Sequence, residues 1–358
     1  MSDATQDTLG LQGEPGRNGS SAETSHHTKE DEKRQQKESG YYGIPPIKKP
    51  HWTWQVPLYL WLGGIGAGSH LIATLVRFMK DGDPALLRAS RYTTLVTMIL
   101  SPILLIWDLG RPERFLNMLR IVKLRSPMST GSWSISIFGA MSGLIATHQA
   151  AEDGLLGRDN LVARAAKRFI PDRVLTVVTL PFGLYVGAYT GILLIATSVP
   201  MWAKNWMLMG PTFLSSGFSN ALSAMSLILN LGRWGEHRTH SMLRRAEKAT
   251  LVIEAALVLG SLYKMGRWGS PLRSRRLAPT FFGGSLLGGI LVPFALLSGL
   301  FGEQSRKKSM LASALVLVGG LLFRFDMVLG GKMSADDPEA TFTFAQPERD
   351  SGERGTTP

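Results

Sequence analysis

The segment from Asp108 to Phe115 sets several ionisable residues directly against long apolar stretches of the chain. One apolar run ends at Asp108, and another opens shortly afterwards at Gly131. Charge at a hydrocarbon boundary is costly and is usually retained for function. We therefore expect this segment, called the Asp108 loop, to lie beside the functional site.

Other polar side chains can reach the same depth in a helical bundle. Helical rise places Tyr189 about 15 residues, or roughly 22 Å, into its apolar run, which brings it into the half nearest the Asp108 loop. An apolar slot with hydrogen-bond donors and a nearby proton source suits a ligand that carries carbonyl oxygens. The residues predicted to line such a slot are Gln55, Tyr59, Asp108, Trp133, Tyr189 and Asn220.

Structural alternatives stay open for these residues. Asp108 could pair with Arg111 or Arg114, because intramembrane carboxylates are usually paired. Aromatic residues near the ends of apolar runs, Tyr59 among them, could form an interfacial belt. Tyr189 lies deeper than a belt residue should, which favours a functional role for it.

A second polar group is predicted toward the opposite side of the membrane. His70 and His148 each lie about 16 residues, or roughly 24 Å, beyond the starts of the first and third apolar runs, so they share a depth. With Arg77 and Glu254 they are predicted to pass protons toward the slot, since buried ionisable groups often form relays. They could instead be separate hydrogen-bonded residues, or His70 and His148 could be the axial pair of a b-type haem.

The composition predicts a membrane domain between two polar tails. The chain has 358 residues, of which 44% are hydrophobic and only 18% charged. Residues 1–45 contain no apolar stretch and are predicted to be disordered, and residues 331–358 form a polar C-terminal tail. The N-terminal tail also lacks the short apolar region of a secretory signal, so the first spanning helix must direct insertion.

Residues 46–330 contain eight apolar windows, each long enough to cross about 30 Å of hydrocarbon as a helix. These windows are continuous, whereas a membrane barrel needs alternating segments of about ten residues. We therefore predict an all-α integral membrane protein with about eight transmembrane helices. The sixth window is the shortest and carries Glu254, so seven spans with a re-entrant segment is the alternative. The windows are Trp54 to Met79, Tyr92 to Asp108, Ser132 to Ala150, Val174 to Val199, Pro211 to Leu231, Ala249 to Tyr263, Phe281 to Leu300 and Leu311 to Met327.

Eight spans put both termini and the Asp108 loop on one side of the membrane, called the near face. The net charge of +12 comes from basic residues that flank the spans, which suits anionic lipid headgroups rather than nucleic acid. The count of basic residues is higher on the opposite, far face and favours a cytoplasmic location for it. Arg324 and Asp326 close the eighth window, and we expect them to pair with each other or with the Asp108 loop.

The absence of cysteine restricts the chemistry of this protein. Because the sequence contains no cysteine, it cannot ligate an iron–sulfur cluster or use a thiol nucleophile. We predict no iron–sulfur cluster, no metal site and no autonomous catalytic residue here. Any redox centre must then belong to another subunit or be held by histidine.

Several motifs in order resemble the NrfD/PsrC family of membrane subunits. They extend over helices one to five, while the helix count and spacing agree from about Trp54 to about Met327. The motifs are Asp108-Leu109-Gly110-Arg111-Pro112 at the end of the second helix, Ser132-Trp133 in the third, Tyr189-Thr190-Gly191-Ile192-Leu193-Leu194 in the fourth, Pro200-Met201-Trp202, and Pro211-Thr212-Phe213-Leu214-Ser215-Ser216-Gly217 in the fifth.

This resemblance implies a membrane subunit of an oxidoreductase without prosthetic groups of its own. It implies bound menaquinone or ubiquinone, with contacts largely from the first and fourth helices, which carry Gln55, Tyr59 and Tyr189. It also implies a ferredoxin-like partner with four-iron clusters, joined to a molybdopterin oxidoreductase or a multihaem cytochrome, in a bacterial cytoplasmic (inner) membrane. Arg111, Glu113 and Arg114 are the expected docking residues. A secondary transporter or channel is the alternative, although the strongest polar motif lies at one boundary rather than at the midplane.

Overall fold

The computed structural model describes residues 47–48, 50–111, 113, 115–157 and 160–345. The disordered tail predicted for residues 1–45 lies outside this range, as do Arg114 and residues 346–358. All regular secondary structure in the described residues is helical, which confirms the predicted all-α fold class.

Eight long helices form the described part of the chain, and each corresponds to one predicted window. Short helices at Phe115–Met118, Leu161–Phe169, Pro200–Lys204 and Pro338–Ala345 join or follow them. The seventh long helix is π-helical from Pro279 to Leu291 and α-helical from Val292 to Ser298. The long helices are α1 Gln55–Phe78, α2 Pro84–Asp108, α3 Pro127–Glu152, α4 Asp172–Ile195, α5 Trp206–Gly232, α6 His237–Met265, α7 Pro279–Ser298 and α8 Arg306–Ala335.

Length and apolar composition qualify seven of these helices as candidate membrane spans in the described residues. The remaining one is α3, whose 26 residues extend about 39 Å and which packs between α2 and α4. The sixth window, which was the predicted weak point, lies inside a continuous helix of 29 residues. The weakest apolar signal therefore belongs to the third helix rather than to the sixth.

Several helices begin or end beyond the apolar windows, because capped polar turns extend them. Asp83 caps α2 by accepting a hydrogen bond from the Ala85 N–H at 2.8 Å, and Pro84 occupies the first turn. Ser305 caps α8 in the same way. The C-terminal tail was predicted to start at 331, a position that lies inside α8.

The two central helices of the bundle are α1 and α5. α1 contacts α2, α4, α5 and α8, whereas α5 contacts α1, α4, α6 and α8. Small residues allow the close approaches between helices. A β-carbon on Gly64 would lie 3.2 Å from the Cα of Gly217 on α5, and one on Gly319 would lie 2.2 Å from the Cα of Gly289.

Candidate functional site

A cavity of about 100 Å³ opens at the near face between α1, α2, α3 and α4, and we call it the near-face cavity. Its lining is largely apolar, and Met118 of the short helix after the Asp108 loop and Met128 of α3 contribute to it. The polar and aromatic residues that line it are Trp52, Tyr59, Asp108, Ser132 and Tyr189. Three of the six predicted slot residues, Tyr59, Asp108 and Tyr189, are thus brought together at the predicted depth.

Tyr59 is 5% exposed and presents its hydroxyl to the near-face cavity. Within the described residues this hydroxyl has no hydrogen-bond partner, while Tyr189 and Asp108 lie close enough to interact with it electrostatically. A buried hydroxyl normally finds a partner, since leaving it unpaired costs about 1–3 kcal/mol. Tyr59 is therefore available to donate a hydrogen bond to a ligand.

Tyr189 enters the cavity from α4 and is held by its surroundings. Its hydroxyl donates to the carbonyl oxygen of Pro127 at 3.2 Å, and its ring lies 5.9 Å from the ring of Tyr185. Gly131 provides the space for it, because a β-carbon there would lie 2.2 Å from Cζ of Tyr189. Glycine at 131 is thus required by the position of the Tyr189 ring.

Asp108 ends α2 at the mouth of the cavity, where Thr53 ties it to the start of α1. The Thr53 backbone N–H donates to Oδ1 of Asp108 at 3.4 Å, and the Thr53 hydroxyl is shared between Asp108 and Oε1 of Gln55. Gln55 itself does not line the cavity and reaches it only through this contact. Sequence reasoning missed Thr53, although the pattern Thr-X-Gln before an apolar helix marks such a polar start.

Trp133 and Asn220 were predicted to line the same slot, but neither lines the near-face cavity. Successive residues of a helix point about 100° apart, so Ser132 faces the cavity and Trp133 does not. The helix α5 begins at Trp206, which places Asn220 about 21 Å from the near-face end. There its Oδ1 accepts from the Trp61 indole at 3.1 Å and its Nδ2 donates to the Ser216 carbonyl at 2.6 Å.

Two of the four relay candidates, Arg77 and His70, lie beside the Asp172–Arg91 ion pair, and the other two have different surroundings. Arg77 pairs with Asp172 at 2.8 Å, and Nε2 of His70 lies 3.1 Å from the Thr176 carbonyl oxygen. His148 lies 3.9 Å from Glu152 of its own helix. Glu254 lies on α6, apart from these, and in the described residues no hydrogen bond joins any of the four to another.

Glu254 belongs instead to a buried polar column between α5, α6, α7 and α8. Glu247, two turns earlier on α6, accepts from the Ser313 hydroxyl at 3.1 Å. Glu254 and Ser285 line a cavity of about 10 Å³, which is the space of one water molecule. Ser285 donates onward to Asp326 at 3.1 Å, and the exposed Thr280 donates to the same carboxylate at 2.7 Å.

Arg324 was expected to pair with Asp326 or with the Asp108 loop. It is instead fully buried beside this column. Its Nη1 donates to the Ser216 hydroxyl at 3.2 Å and to the Gly320 carbonyl at 2.9 Å. Its Nε and Nη2, and one oxygen each of Glu247 and Glu254, have no hydrogen-bond partner in the described residues. Unsatisfied buried polar atoms of this kind indicate internal water.

Comparison with protein families shows which family this chain belongs to. The model of the family "Polysulphide reductase, NrfD" matches residues 47–335, which include all eight long helices. The chain belongs to this family. The NrfD membership, together with the membrane-spanning helices, identifies a multi-pass membrane subunit of an oxidoreductase.

Two relatives extend the NrfD comparison over nearly their full lengths. A polysulfide reductase subunit from Wolinella succinogenes is 27% identical over 304 residues, covering 78% of this protein and 94% of the relative. Protein NrfD of Escherichia coli (strain K12) is 25% identical over 304 residues, covering 79% of this protein and 95% of the relative. The resemblance inferred from the five motifs is thereby confirmed.

The Asp108 loop presents its charges outward next to the cavity of this NrfD-family protein. Arg111 and Glu113 are exposed, whereas Arg114 lies outside the described residues. Met118, which ends the short helix Phe115–Met118 directly after this loop, lines the near-face cavity. A protein bound to the outer surface of the loop would therefore lie close to any ligand in the cavity.

Proposed function

We propose that this protein is the quinone- or quinol-binding membrane anchor of a multi-subunit oxidoreductase in a bacterial cytoplasmic membrane. In this proposal it exchanges electrons between menaquinone or ubiquinone and an iron–sulfur partner subunit. One observation supports the proposal: the near-face cavity brings together Asp108, Tyr189 and the Tyr59 hydroxyl, which has no hydrogen-bond partner in the described residues, within an apolar lining. Such a combination of few polar groups in an apolar pocket is typical of small-molecule sites.

The lining of the cavity suits a quinone ring, and the cavity must widen by movement of side chains to admit it. Its volume of about 100 Å³ is smaller than the about 150 Å³ that holds a benzene molecule. Met118 and Met128 line it, and their unbranched, flexible side chains can shift to admit a larger ring. The long apolar tail of a quinone would then lie between helices or in lipid.

The residues of the cavity can bind and orient the ligand and move its protons. A bound quinone supplies two-electron redox chemistry that no side chain of this protein provides. The Tyr59 hydroxyl would donate a hydrogen bond to one carbonyl oxygen, and Tyr189 limits the space beside it. Asp108, connected to the near face through Thr53, would exchange a proton with solvent.

The test compares Tyr59→Phe with Tyr185→Phe in the purified complex. Tyr185 lies one turn from Tyr189, its hydroxyl is 2.6 Å from Oγ1 of Thr130, and it does not line the cavity. Loss of the Tyr59 hydrogen bond should weaken quinone binding about two- to tenfold. Asp108→Asn, which removes the proposed proton donor, should lower quinol-linked turnover by about 100-fold or more. Equal behaviour of the two variants would refute the assignment of Tyr59.

The exposed charges of the Asp108 loop support docking of the partner there. We infer a ferredoxin-like subunit with four-iron clusters, linked to a molybdopterin oxidoreductase or a multihaem cytochrome. Arg111→Glu should release this partner during purification, because a reversed rim charge opposes an acidic partner surface. Lys48, an exposed basic residue on the same face, provides the control as Lys48→Glu. A partner lost equally from both variants would point to general charge repulsion instead.

The buried column is a second candidate proton route, besides the relay predicted from His70, His148, Arg77 and Glu254. Its members run from Glu247 through Glu254 and Ser285 to Asp326. We propose that it carries protons between the far face and the near face. Glu254→Gln should then abolish proton uptake from the far side in reconstituted vesicles and leave quinone binding intact.

The alternative function, a secondary transporter, predicts that the protein moves a substrate across the membrane without any partner subunit.

A further inference from the structure

An open groove runs along the outer side of α2 at the far face, away from the near-face cavity. It has a volume of about 770 Å³, within the range of about 300–1,000 Å³ that is usual for ligand sites. It extends from Ala85 to Thr97, a distance of about 18 Å along the helix. We call this feature the α2 groove, and Ile228 and Trp234 form its other wall.

Two of the three hydroxyl groups in the inner part of the α2 groove are already hydrogen-bonded. The Tyr92 hydroxyl donates to Asp153 at 2.8 Å, and the Thr97 hydroxyl donates to the Thr93 carbonyl at 2.8 Å. Apart from Thr93, the wall inside the rim is apolar, with Val96 52% exposed. A hydrocarbon tail satisfies such a surface, whereas a quinone ring would find few donors for its two carbonyl oxygens.

The guanidinium group of Arg88 lies at the rim of the α2 groove, and only one of its nitrogen atoms is in an ion pair. Nε of Arg88 lies 2.7 Å from Oδ1 of Asp153, and 55% of the Arg88 side chain remains exposed. The outer nitrogens of such an arginine can bind a phosphate group with two hydrogen bonds. Trp234, which is 59% exposed at the same rim, has the amphipathic character of a headgroup-level residue.

Three arginines and two aspartates lie on this side of the groove. Arg88 pairs with Asp153, Arg77 and Arg91 share Asp172, and Gln149 connects Arg91 to Asp153. Arg233, which begins the turn after α5, is also exposed beside Trp234. An anionic headgroup therefore meets a complementary surface here.

We propose that the α2 groove binds one anionic glycerophospholipid of the far leaflet. Its phosphate lies on Arg88 and one acyl tail extends along α2 past Val96. The site is separate from the quinone cavity and goes beyond the proposed function, because it serves lipid recognition at the opposite face. The length of the groove, about 18 Å, is close to the half-thickness of about 15 Å that one leaflet contributes to the hydrocarbon core.

The acyl part is tested with Val96→Trp, which fills the groove, and with Val177→Trp as the matched control. Val177 is a similarly exposed valine on α4 that does not line the groove. The purified complex is exposed to phosphatidylglycerol, and retained lipid is counted by native mass spectrometry. Wild type and Val177→Trp should retain one lipid that Val96→Trp loses. Retention of that lipid by Val96→Trp, or loss of a bound quinone in its place, overturns the proposal.

The headgroup part is tested by titrating phosphatidylglycerol and phosphatidylcholine against Arg88→Gln. The variant should bind phosphatidylglycerol about fivefold more weakly, as expected for one basic residue at a lipid surface. Arg238→Gln is the control, because Arg238 is also in an exposed far-face ion pair, with Asp81 at 3.2 Å. Arg88→Lys should retain part of the preference. An equal loss in Arg238→Gln, or an unchanged preference in Arg88→Gln, overturns the assignment of Arg88. Quinone-linked turnover is measured in parallel, so failure here is distinguishable from failure of the cavity assignment.

Discussion

The contact between Gly131 and Tyr189 makes the shape of the near-face cavity directly testable. A β-carbon at Gly131 would lie 2.2 Å from Cζ and 2.3 Å from the hydroxyl oxygen of Tyr189. Normal contact needs about 3.5 Å or more, so in Gly131→Ala the aromatic ring must move by more than an ångström. That movement breaks its hydrogen bond to Pro127 and changes the cavity wall.

The expected cost follows from two contributions. Overpacking of a close contact destabilises by about 1–3 kcal/mol, and loss of the hydrogen bond adds about 0.5–1.5 kcal/mol. Gly143 on the same helix has open space around it, and alanine is favoured over glycine in a helix by about 1 kcal/mol. Gly143→Ala should therefore be neutral or stabilising, whereas Gly131→Ala should be clearly destabilised.

The assay is a double-mutant cycle on the free energy of unfolding in detergent, combined with quinone affinity. In a Tyr189→Leu background the clash is removed, so Gly131→Ala should cost far less than it does in wild type. A coupling energy of about 1–3 kcal/mol between the two positions is expected. If Gly131→Ala is as stable as Gly143→Ala and binds quinone normally, Tyr189 does not form the cavity wall described above.

Two further predictions concern stability away from the cavity. Partial burial raises the pKa of Asp83, but hydrogen bonds from the Thr239 hydroxyl and from backbone N–H groups outweigh it and hold the pKa below its ordinary value. This stabilisation is fully present above the unfolded pKa of about 3.9 and is lost as pH falls through the lower folded pKa. The difference in stability between wild type and Asp83→Asn should therefore begin to shrink below about pH 4 and vanish once the pH is below the folded pKa. At the α7–α8 contact, a β-carbon on Gly319 would lie 2.2 Å from Gly289, so Gly319→Ala should lose about 1–3 kcal/mol in thermal unfolding. Gly283→Ala, in open space, should not, and equal melting of these two variants would contradict the close packing.

Hydropathy was sufficient to predict the helices, because every spanning segment must satisfy its own backbone hydrogen bonds in lipid. The same reasoning placed Tyr59, Asp108 and Tyr189 at one depth, since depth depends only on helical rise. It misjudged the third and sixth helices, whose polar residues face protein rather than lipid. It also misjudged helix ends, where polar caps such as Asp83 and Ser305 extend a helix beyond its apolar part.

The sequence pattern did not show how each helix is rotated about its own axis, and therefore which side chains face the cavity. Ser132 and Trp133 have the same depth, but only packing against α4 decides which one faces the cavity. Asn220 and Glu254 were grouped with the slot and with the histidines by depth, yet the bundle places both beside Arg324 in its other half. The amino-acid sequence thus determined which segments cross the membrane and how deep each polar group lies, because lipid acts on one helix at a time. Which groups meet was decided by tertiary packing, because that depends on how each helix is turned toward its neighbours.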